Sequence, residues 1–334
     1  MEIQSTTCLM ARESDLFRCM ALEKRMAEML PSDMAGLYLC SPSECVLYGS
    51  HQNPKALFPG ELPGEGFPVV QRESGGGAAF LDPGCVCFAL MLPKPFFSPR
   101  DQNFLIADAL ARLGVPTQWD ARGGLWHGEK LVCAATYFKE RDLALQEGVL
   151  YVDADLEKAV SLLGEEAAGS FGNLSALQPS VTTGRVMTAL CVSFRNAFGI
   201  QPTFLEETLL GDSAVRACMR KFSARQYRPT PEEASPSFET NARYGWGSLQ
   251  VRLFEENKVI TRVELFTDAF ETRLFEYLES ALTGCIFLIS AIQQRFEEAA
   301  IPLRNPRLRQ IAEDVEHLVC GQMRQSDRNT ENSL

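Results

Sequence analysis

Three successive glycines, Gly75, Gly76 and Gly77, follow Arg72-Glu73-Ser74 and precede Ala78-Ala79-Phe80-Leu81-Asp82. A glycine costs about 0.5–1 kcal/mol relative to alanine in a regular element, and supplies positive φ and close backbone approach in exchange. Successive N–H groups exposed in this way make a concavity for an anion or a flat ligand. Taken alone, the triplet fits an unliganded hairpin loop equally well. Other side chains with chemical potential are sparse. Lys130, between Glu129 and the apolar run Leu131-Val132-Cys133-Ala134-Ala135, reads by itself as a charge at a strand entrance. His51, His127 and His317 are too dispersed for a metal site, and Cys85-Val86-Cys87 lacks zinc-ligand spacing. From Ala214 to Pro231, Arg216, Arg220, Lys221, Arg225 and Arg228 occur without an acidic residue. That stretch suits either a solvated helix face or a docking surface for an acidic partner or polyphosphate.

The elements that must hold these residues follow from periodicity and breakers. Phe67-Pro68-Val69-Val70 and Val86 to Leu92 read as strands, with the glycines in their connection. Asp15 to Met29 reads as a helix, Leu37 to Tyr48 as short strands, and Gln102 to Leu113 as an amphipathic helix ended by Gly114. Gly148 to Val152 reads as a strand, after which Asp153-Ala154-Asp155 caps a helix through Leu163. Thr182 or Thr183 caps a further helix whose face is Met187, Leu190, Phe194 and Phe198, closed by Gly199. Pro229 to Pro236 cannot continue a helix and reads as an interdomain linker. Beyond it, Trp246 to Phe254 and Val259 to Phe266 predict a hairpin around Glu256-Asn257-Lys258. Thr272 to Leu282 and Ile286 to Ala299 predict two helices separated by Gly284.

Composition bounds the class. With 334 residues and 46% hydrophobic content, the chain can bury a full core and is long enough for two domains. The 22% charged residues and the scattered aromatics argue against disorder. Eleven cysteines, spread without a repeat, read as reduced thiols, which gives an expected cytoplasmic location. Met1-Glu2-Ile3-Gln4 lacks the basic and apolar regions of a signal peptide, and Gly284 to Ile289 is far shorter than the roughly 18 residues of a membrane span. A net charge of −11 speaks against a general nucleic-acid partner. The expectation is a soluble protein with neither nucleic-acid nor membrane partners, and a monomer.

Several motifs together resemble the lipoate-protein ligase A family along nearly the whole chain. Cys19-Met20-Ala21-Leu22-Glu23 is similar to the family's Asn-Leu-Ala-x-Glu helix, and Gly49-Ser50-His51-Gln52-Asn53-Pro54 to its Gly-Arg-x-Gln-Asn-Pro turn. Arg72 to Ala78 resembles its Arg-x-Ser-Gly-Gly-Gly-Ala loop, and Gly148 to Leu156 its Gly-Thr-Leu-Leu-x-Asn-Ala-Asp-Leu strand and cap. Trp246-Gly247, Ile260-Thr261-Arg262, Phe266-Thr267-Asp268 and Leu282-Thr283-Gly284-Cys285 resemble the C-terminal accessory domain of the two-domain bacterial form.

The resemblance implies an α/β fold: a mixed-sheet α+β domain of the biotin/lipoate protein ligase type with a small α+β accessory domain. The expected boundaries are 1–228 for the catalytic domain, 229–241 for the linker and 242–334 for the accessory domain, which is expected to rotate or close on the intermediate. The implied reaction has two steps. Lipoate attacks the α-phosphorus of ATP, with Mg²⁺ implied, to give lipoyl-AMP, and a lysine of a lipoyl domain then takes the acyl group. The implied acceptors are lipoyl domains of 2-oxoacid dehydrogenase E2 subunits or glycine-cleavage H protein. Lys130 aligns with the family's catalytic lysine, which contacts the acyl oxygen and the phosphate. Arg72, Ser74, Gly75, Gly76, Gly77, Ala78, Ala135 and Gly148 are the implied lipoate or lipoyl-AMP contacts, and the metal ligands are left open between Asp82 and Asp120.

The chain departs from the pattern where that chemistry lies. Leu81 stands at the family's histidine and Gly84-Cys85 at its Gly-Asn. Arg122-Gly123-Gly124 stands at Arg-Asn-Asp, Leu131-Val132-Cys133-Ala134 at x-Ser-Gly-Ser, and Tyr227-Arg228-Pro229 near the linker in place of Trp-Glu-Trp. Three readings follow: a ligase with altered nucleotide contacts, which is favoured; a lipoyl or octanoyl transferase without the activation step; and a non-catalytic lipoate-binding homologue. A thioester route through Cys133 or Cys85 is a sharper alternative, set against the frequency with which cysteine is simply buried. Trp126 and His127 read as hairpin-tip residues.

Overall fold

The computed structural model describes residues 2–58, 67–120, 123–164, 168–228 and 235–331, with side chains in the final helix described to residue 325. Arg122 and residues 229–234 of the Pro-rich stretch lie outside the described residues. The chain forms two compact units, Met1–Gly49 with Pro54–Tyr227, and Ser50–Asn53 with Arg228–Leu334.

The first unit runs β1 (Ser5–Met10), α1 (Leu16–Met29), β2 (Met34–Cys40), β3 (Cys45–Tyr48), β4 (Val69–Gln71), β5 (Ala79–Leu81), β6 (Cys85–Pro93), α2 (Pro99–Arg112), β7 (Gln118–Trp119), β8 (Leu125–His127), β9 (Lys130–Glu140), β10 (Leu143–Tyr151), α3 (Leu156–Leu163), α4 (Thr183–Phe198), β11 (Thr203–Phe204) and α5 (Asp212–Ser223). Helix starts follow capping chemistry. Asp15 accepts the amide of Arg18, Asp155 that of Lys158 and Thr182 that of Arg185. Gly199 ends α4 in the left-handed conformation that spares a Cβ clash. Ahead of the expected Gln102, α2 starts at Pro99, because Ser98 caps it and proline suits the first helical position.

A mixed eight-stranded sheet has the order β11-β1-β2-β6-β10-β9-β8-β7 among the described residues. On one face, Leu37, Leu39, Phe88, Leu90 and Leu150 pack with Leu105, Ile106 and Leu110 of α2 and with Val186, Leu190 and Phe194 of α4. The other face carries α1 and α5, through Leu22, Met26, Val215 and Phe222 against Tyr38, Met91 and Leu145. Alongside those helices a small sheet, β4-β3-β5, packs Val46, Val70 and Phe80 with Val149 and Tyr151. The glycine run therefore differs from the expected direct connection. An extra strand, β5, precedes β6, and β4 and β5 flank β3 on opposite sides, so the loop crosses the end of β3 and cannot be a simple hairpin. The basic stretch forms α5 and its exit; Val215, Cys218 and Phe222 are buried while Arg216, Arg220 and Lys221 are exposed.

The second unit contains β12 (Phe238–Tyr244), β13 (Gly247–Glu256), β14 (Val259–Thr267), α6 (Thr272–Leu282), α7 (Ile289–Ala300) and α8 (Pro306–Glu331). Its antiparallel sheet, β12-β13-β14, buries Leu249, Val251, Leu253 and Leu265 against Phe275, Phe296 and Val319. Asn257 and Lys258 both have positive φ, 53° and 64°, as a tight hairpin turn requires. The Ser50–Asn53 segment groups here: the Thr267 amide donates to the His51 carbonyl at 2.7 Å, and Asn53 Nδ2 to Gln250 Oε1 at 2.9 Å. Two expectations change. Residues 238–241, read as linker, belong to β12, whose residues alternate half-buried and exposed as an edge strand does. The helix expected from Ile286 starts at Ile289, because Gly284, Cys285 and Phe287 make main-chain bonds to Ile260 and Lys258 at the start of β14. α8 opens at Asn305-Pro306 and buries Ile311, Val315, Val319 and Met323 on one face; it lies outside the elements expected from sequence.

Candidate functional site

The glycine loop is held by its own arginine. Arg72 Nη2 donates to the carbonyls of Gly75 and Gly77, each at 2.7 Å, Nε donates to Ser74 Oγ at 3.1 Å, and Nη1 to Leu47 O at 3.3 Å. The Gly75 carbonyl also accepts from buried Thr136 Oγ1 on β9 at 3.0 Å. Gly76 takes φ +91°, and an added Cβ at Gly49 would lie 2.1 Å from the Gly76 carbonyl oxygen, so two glycines at this crossing are sterically required. The carbonyl side of the loop is thus satisfied. Its donor side is different: among the described residues, the amides of Gly75, Gly76, Gly77 and Ala78 donate to no protein acceptor. Gly75 and Gly76 are buried, where unpaired N–H groups are rare. Arg72, expected beside a ligand, is engaged in shaping the loop; burial lowers its pKa to about 10 while Glu147 and Tyr151 oppose, so it stays charged at neutral pH.

A carboxyl pair lies beneath. Ser74, fully buried, donates to Glu147 Oε2 at 2.5 Å. Glu147 on β10 in turn hydrogen-bonds Glu23 of α1, and burial, with Glu147 and Glu73 adding repulsion, holds Glu23 well above the usual carboxylate range. Glu23 therefore favours its protonated form, which lets one proton bridge two carboxyls. Lys24, the next residue, joins Glu73 at 2.8 Å and Glu140 at 2.6 Å. Glu23, Gly49, Thr136 and Glu147 escaped assignment from sequence. Glu23 and Gly49 stood inside quoted motifs, but nothing linear signals Thr136 or Glu147.

Strand geometry sorts the remaining expected residues. Thr136 and Glu147 are register partners facing the loop; the next pair, Ala135 and Gly148, faces the opposite way because side chains alternate. Gly148 is a packing glycine there: an added Cβ would sit 2.4 Å from Phe88 Cζ. Ala135 packs on the same α2 and α4 core. Lys130 is exposed at the first position of β9, with no ion pair or hydrogen bond for its ammonium among the described residues. Its stem lies against Gly172, where an added Cβ would meet Lys130 Cβ at 2.6 Å. The Leu131 amide donates to Ser170 O and the Gly172 amide to Leu131 O, so segment 170–172 braces the start of β9. The β8 pairing shifts register between Leu125 and Trp126, which leaves Val132 as an extra residue and re-aims the strand end that carries Lys130.

Asp120 ties down the residues from Gly124 to Trp126. Asp120 Oδ1 accepts the Gly124 amide at 2.9 Å and Oδ2 the Trp126 indole at 2.8 Å. His127 Nδ1 lies 2.8 Å from Pro116 O. The places where Gly123 and Gly124 would carry side chains are filled: Tyr137 Oη would be 2.9 Å from a Cβ at Gly123, and Leu131 Cδ1 2.8 Å from one at Gly124. Asp82 is engaged similarly, with Oδ1 accepting the Gly84 amide at 2.8 Å and Oδ2 the Asp155 amide at 2.7 Å. No three His, Cys, Asp or Glu side chains converge as a metal set among the described residues. These residues do not build a protein cage for Mg²⁺. Cys133 and Cys85 are fully buried and burial pushes both thiols up, which removes the thiolate a thioester route needs.

Residues 15–195 match the lipoyl protein ligase A/B catalytic domain, and residues 235–313 the bacterial lipoate protein ligase C-terminus. Among solved structures, P. falciparum LipL1 in complex with lipoate is 15% identical, covering 95% of this chain and 100% of that one at TM-score 0.79. Lipoate-protein ligase A bound with ATP is 18% identical, covering 66% and 95% at TM-score 0.57. The bipartite lipoate protein ligase of Thermoplasma acidophilum, studied with its E2 lipoyl domain, is 16% identical, covering 68% and 99% at TM-score 0.55. At such identities the structural likeness speaks for the fold.

Proposed function

The chain belongs to the lipoyl protein ligase A/B family, and from that premise we propose that it is a lipoate-protein ligase that activates lipoate with ATP and transfers the lipoyl group to a lysine of a lipoyl domain. The observation that carries this reading is the row of unpaired amides from Gly75 to Ala78, in a loop whose Gly75 and Gly77 carbonyls are already held by Arg72. Such a loop is completed by a ligand that only accepts hydrogen bonds, as a carboxylate or acyl oxygen does.

In the first step a lipoate oxygen bonds to the α-phosphorus and the bond to pyrophosphate breaks. The amides orient the carboxylate, and the Lys130 ammonium offsets repulsion between two anions. In the second, the acceptor lysine amine attacks the acyl carbon and AMP leaves; the same donors stabilise the oxyanion. Mg²⁺ would enter with the nucleotide phosphates, which carry such ions with few protein ligands. The acceptor is a lipoyl domain of the E2 or H-protein kind, and the site of action is the cytoplasm.

A second reading has its own support. Gly123 and Gly124 are overlain by Tyr137 and Leu131, and Asp120 holds the Gly124 amide and the Trp126 indole, so these three positions offer little side-chain chemistry to a nucleotide. A transferase using preformed lipoyl-AMP would need less there. Lipoate-dependent pyrophosphate–ATP exchange is expected from the ligase alone, whereas transfer from synthetic lipoyl-AMP to an acceptor domain is expected from both. Transfer without exchange selects the transferase; lipoate binding without either leaves a binding protein.

A further inference from the structure

We propose that Tyr151 is a substrate-contacting residue whose hydroxyl donates to the acyl oxygen of the bound lipoyl group; this rests on the lipoate reading of the glycine loop. Tyr151 closes β10 and is fully buried, yet its hydroxyl has no hydrogen-bond partner among the described residues. Buried side-chain polar atoms are nearly always paired, and an orphan lowers the stability of the fold that keeps it.

The orphan lies between the two halves of the candidate site. On one side the ring stacks on Phe171, with centroids 4.5 Å apart and planes at 21°. The next residue, Gly172, backs the stem of Lys130. On the other side the phenol is close enough to Arg72 for the two to interact electrostatically, and Arg72 holds the carbonyls of Gly75 and Gly77. The ring also shares an apolar cluster with half-buried Ala78, Leu131 and Ala134. Ala78 ends the row of unpaired amides. Burial raises the phenol pKa, so the group is a neutral donor at physiological pH. A donor without an acceptor, linked through Arg72 to a loop of amides without acceptors, is the complement of a carbonyl group with two lone pairs.

Tyr151→Phe in the full chain separates this role from packing. Titration calorimetry with lipoate and with octanoate, alongside melting of the unliganded protein, is expected to show both acids weakened by the same factor, about three- to tenfold in Kd, with Tm unchanged or raised. Unchanged affinity in the variant, with the wild type binding, overturns the proposal. Weakening of lipoate alone overturns the assignment to the acyl oxygen, since the two acids differ at the dithiolane end. A lowered Tm accompanying lost affinity overturns it in favour of a packing role. Failure of the wild type to bind lipoate, octanoate or lipoyl-AMP overturns the lipoate reading itself, and this inference with it.

Discussion

The glycine loop at residues 72–78 and the Gly123-Gly124 pair held by Asp120 are both glycine-bearing, and they use their hydrogen bonds in opposite ways. In the first, Arg72 and Thr136 hold carbonyls and leave amides without protein acceptors. In the second, Asp120 takes up the Gly124 amide and the Trp126 indole. Glycine content alone therefore does not mark a binding loop. What distinguishes the two is which side of the peptide groups the protein satisfies internally: among the described residues, the first leaves main-chain donors open to a ligand.

The largest test of that contrast acts on the candidate cation at the start of β9. Lys130→Ala is expected to slow acyl transfer by about 10²–10³, the usual range for one pre-organised charge-stabilising contact. Because the ammonium is exposed, Tm should hold; wild-type turnover in the variant would remove Lys130 from the chemistry. Next, Gly49→Ala drives a Cβ into the Gly76 carbonyl and should lower stability by about 1–3 kcal/mol while weakening lipoate binding. Unfolding in urea together with ligand titration checks it, and intact affinity would mean that the loop geometry is not what binds. Asp120→Ala sharpens the other side: losing two bonds to a carboxylate should cost about 1.5–3 kcal/mol of stability without changing the Kd for lipoate. A large loss of lipoate affinity would make that pair part of the acyl site after all.

The smallest effect concerns the support below the loop. The folded pKa of Glu23 is raised by burial and by Glu147 and Glu73, so its proton is held more tightly in the folded state. Its contribution is complete below the unfolded value of about 4.3 and is lost as pH rises through the raised folded value. Glu23→Gln should therefore raise Tm relative to wild type above that window, with the difference shrinking towards about pH 4. Melting curves across pH would show a constant difference if the carboxyl pair shared no proton.

Much of the first unit was legible in linear form because its signals are local. Asp155 and Thr182 each cap the helix expected from them, and Asp15 caps the helix expected to begin there, since a cap acts within one turn of the chain. Helices with a clear apolar stripe, such as α4, followed from periodicity. By contrast, the start of α7 depended on main-chain bonds to Lys258 and Ile260, and β12 takes in residues 238–241 that read as linker. At the site, Arg72, Ser74 and the glycines came from one contiguous motif, whereas Ala135 and Gly148 came out on the opposite sheet face from Thr136 and Glu147. Which face a strand residue takes depends on register, and the bulge at Val132 shifts it locally.

Residue types and short spacings thus determined the caps, the paired glycines and the family, because each is written in neighbours a few residues apart. Only the tertiary structure decided that Arg72 serves the loop, that Glu23 meets Glu147 across 124 positions of chain, and that Tyr151 carries an unpaired hydroxyl. Those outcomes depend on how strands far apart in sequence align, and on the water that their packing excludes.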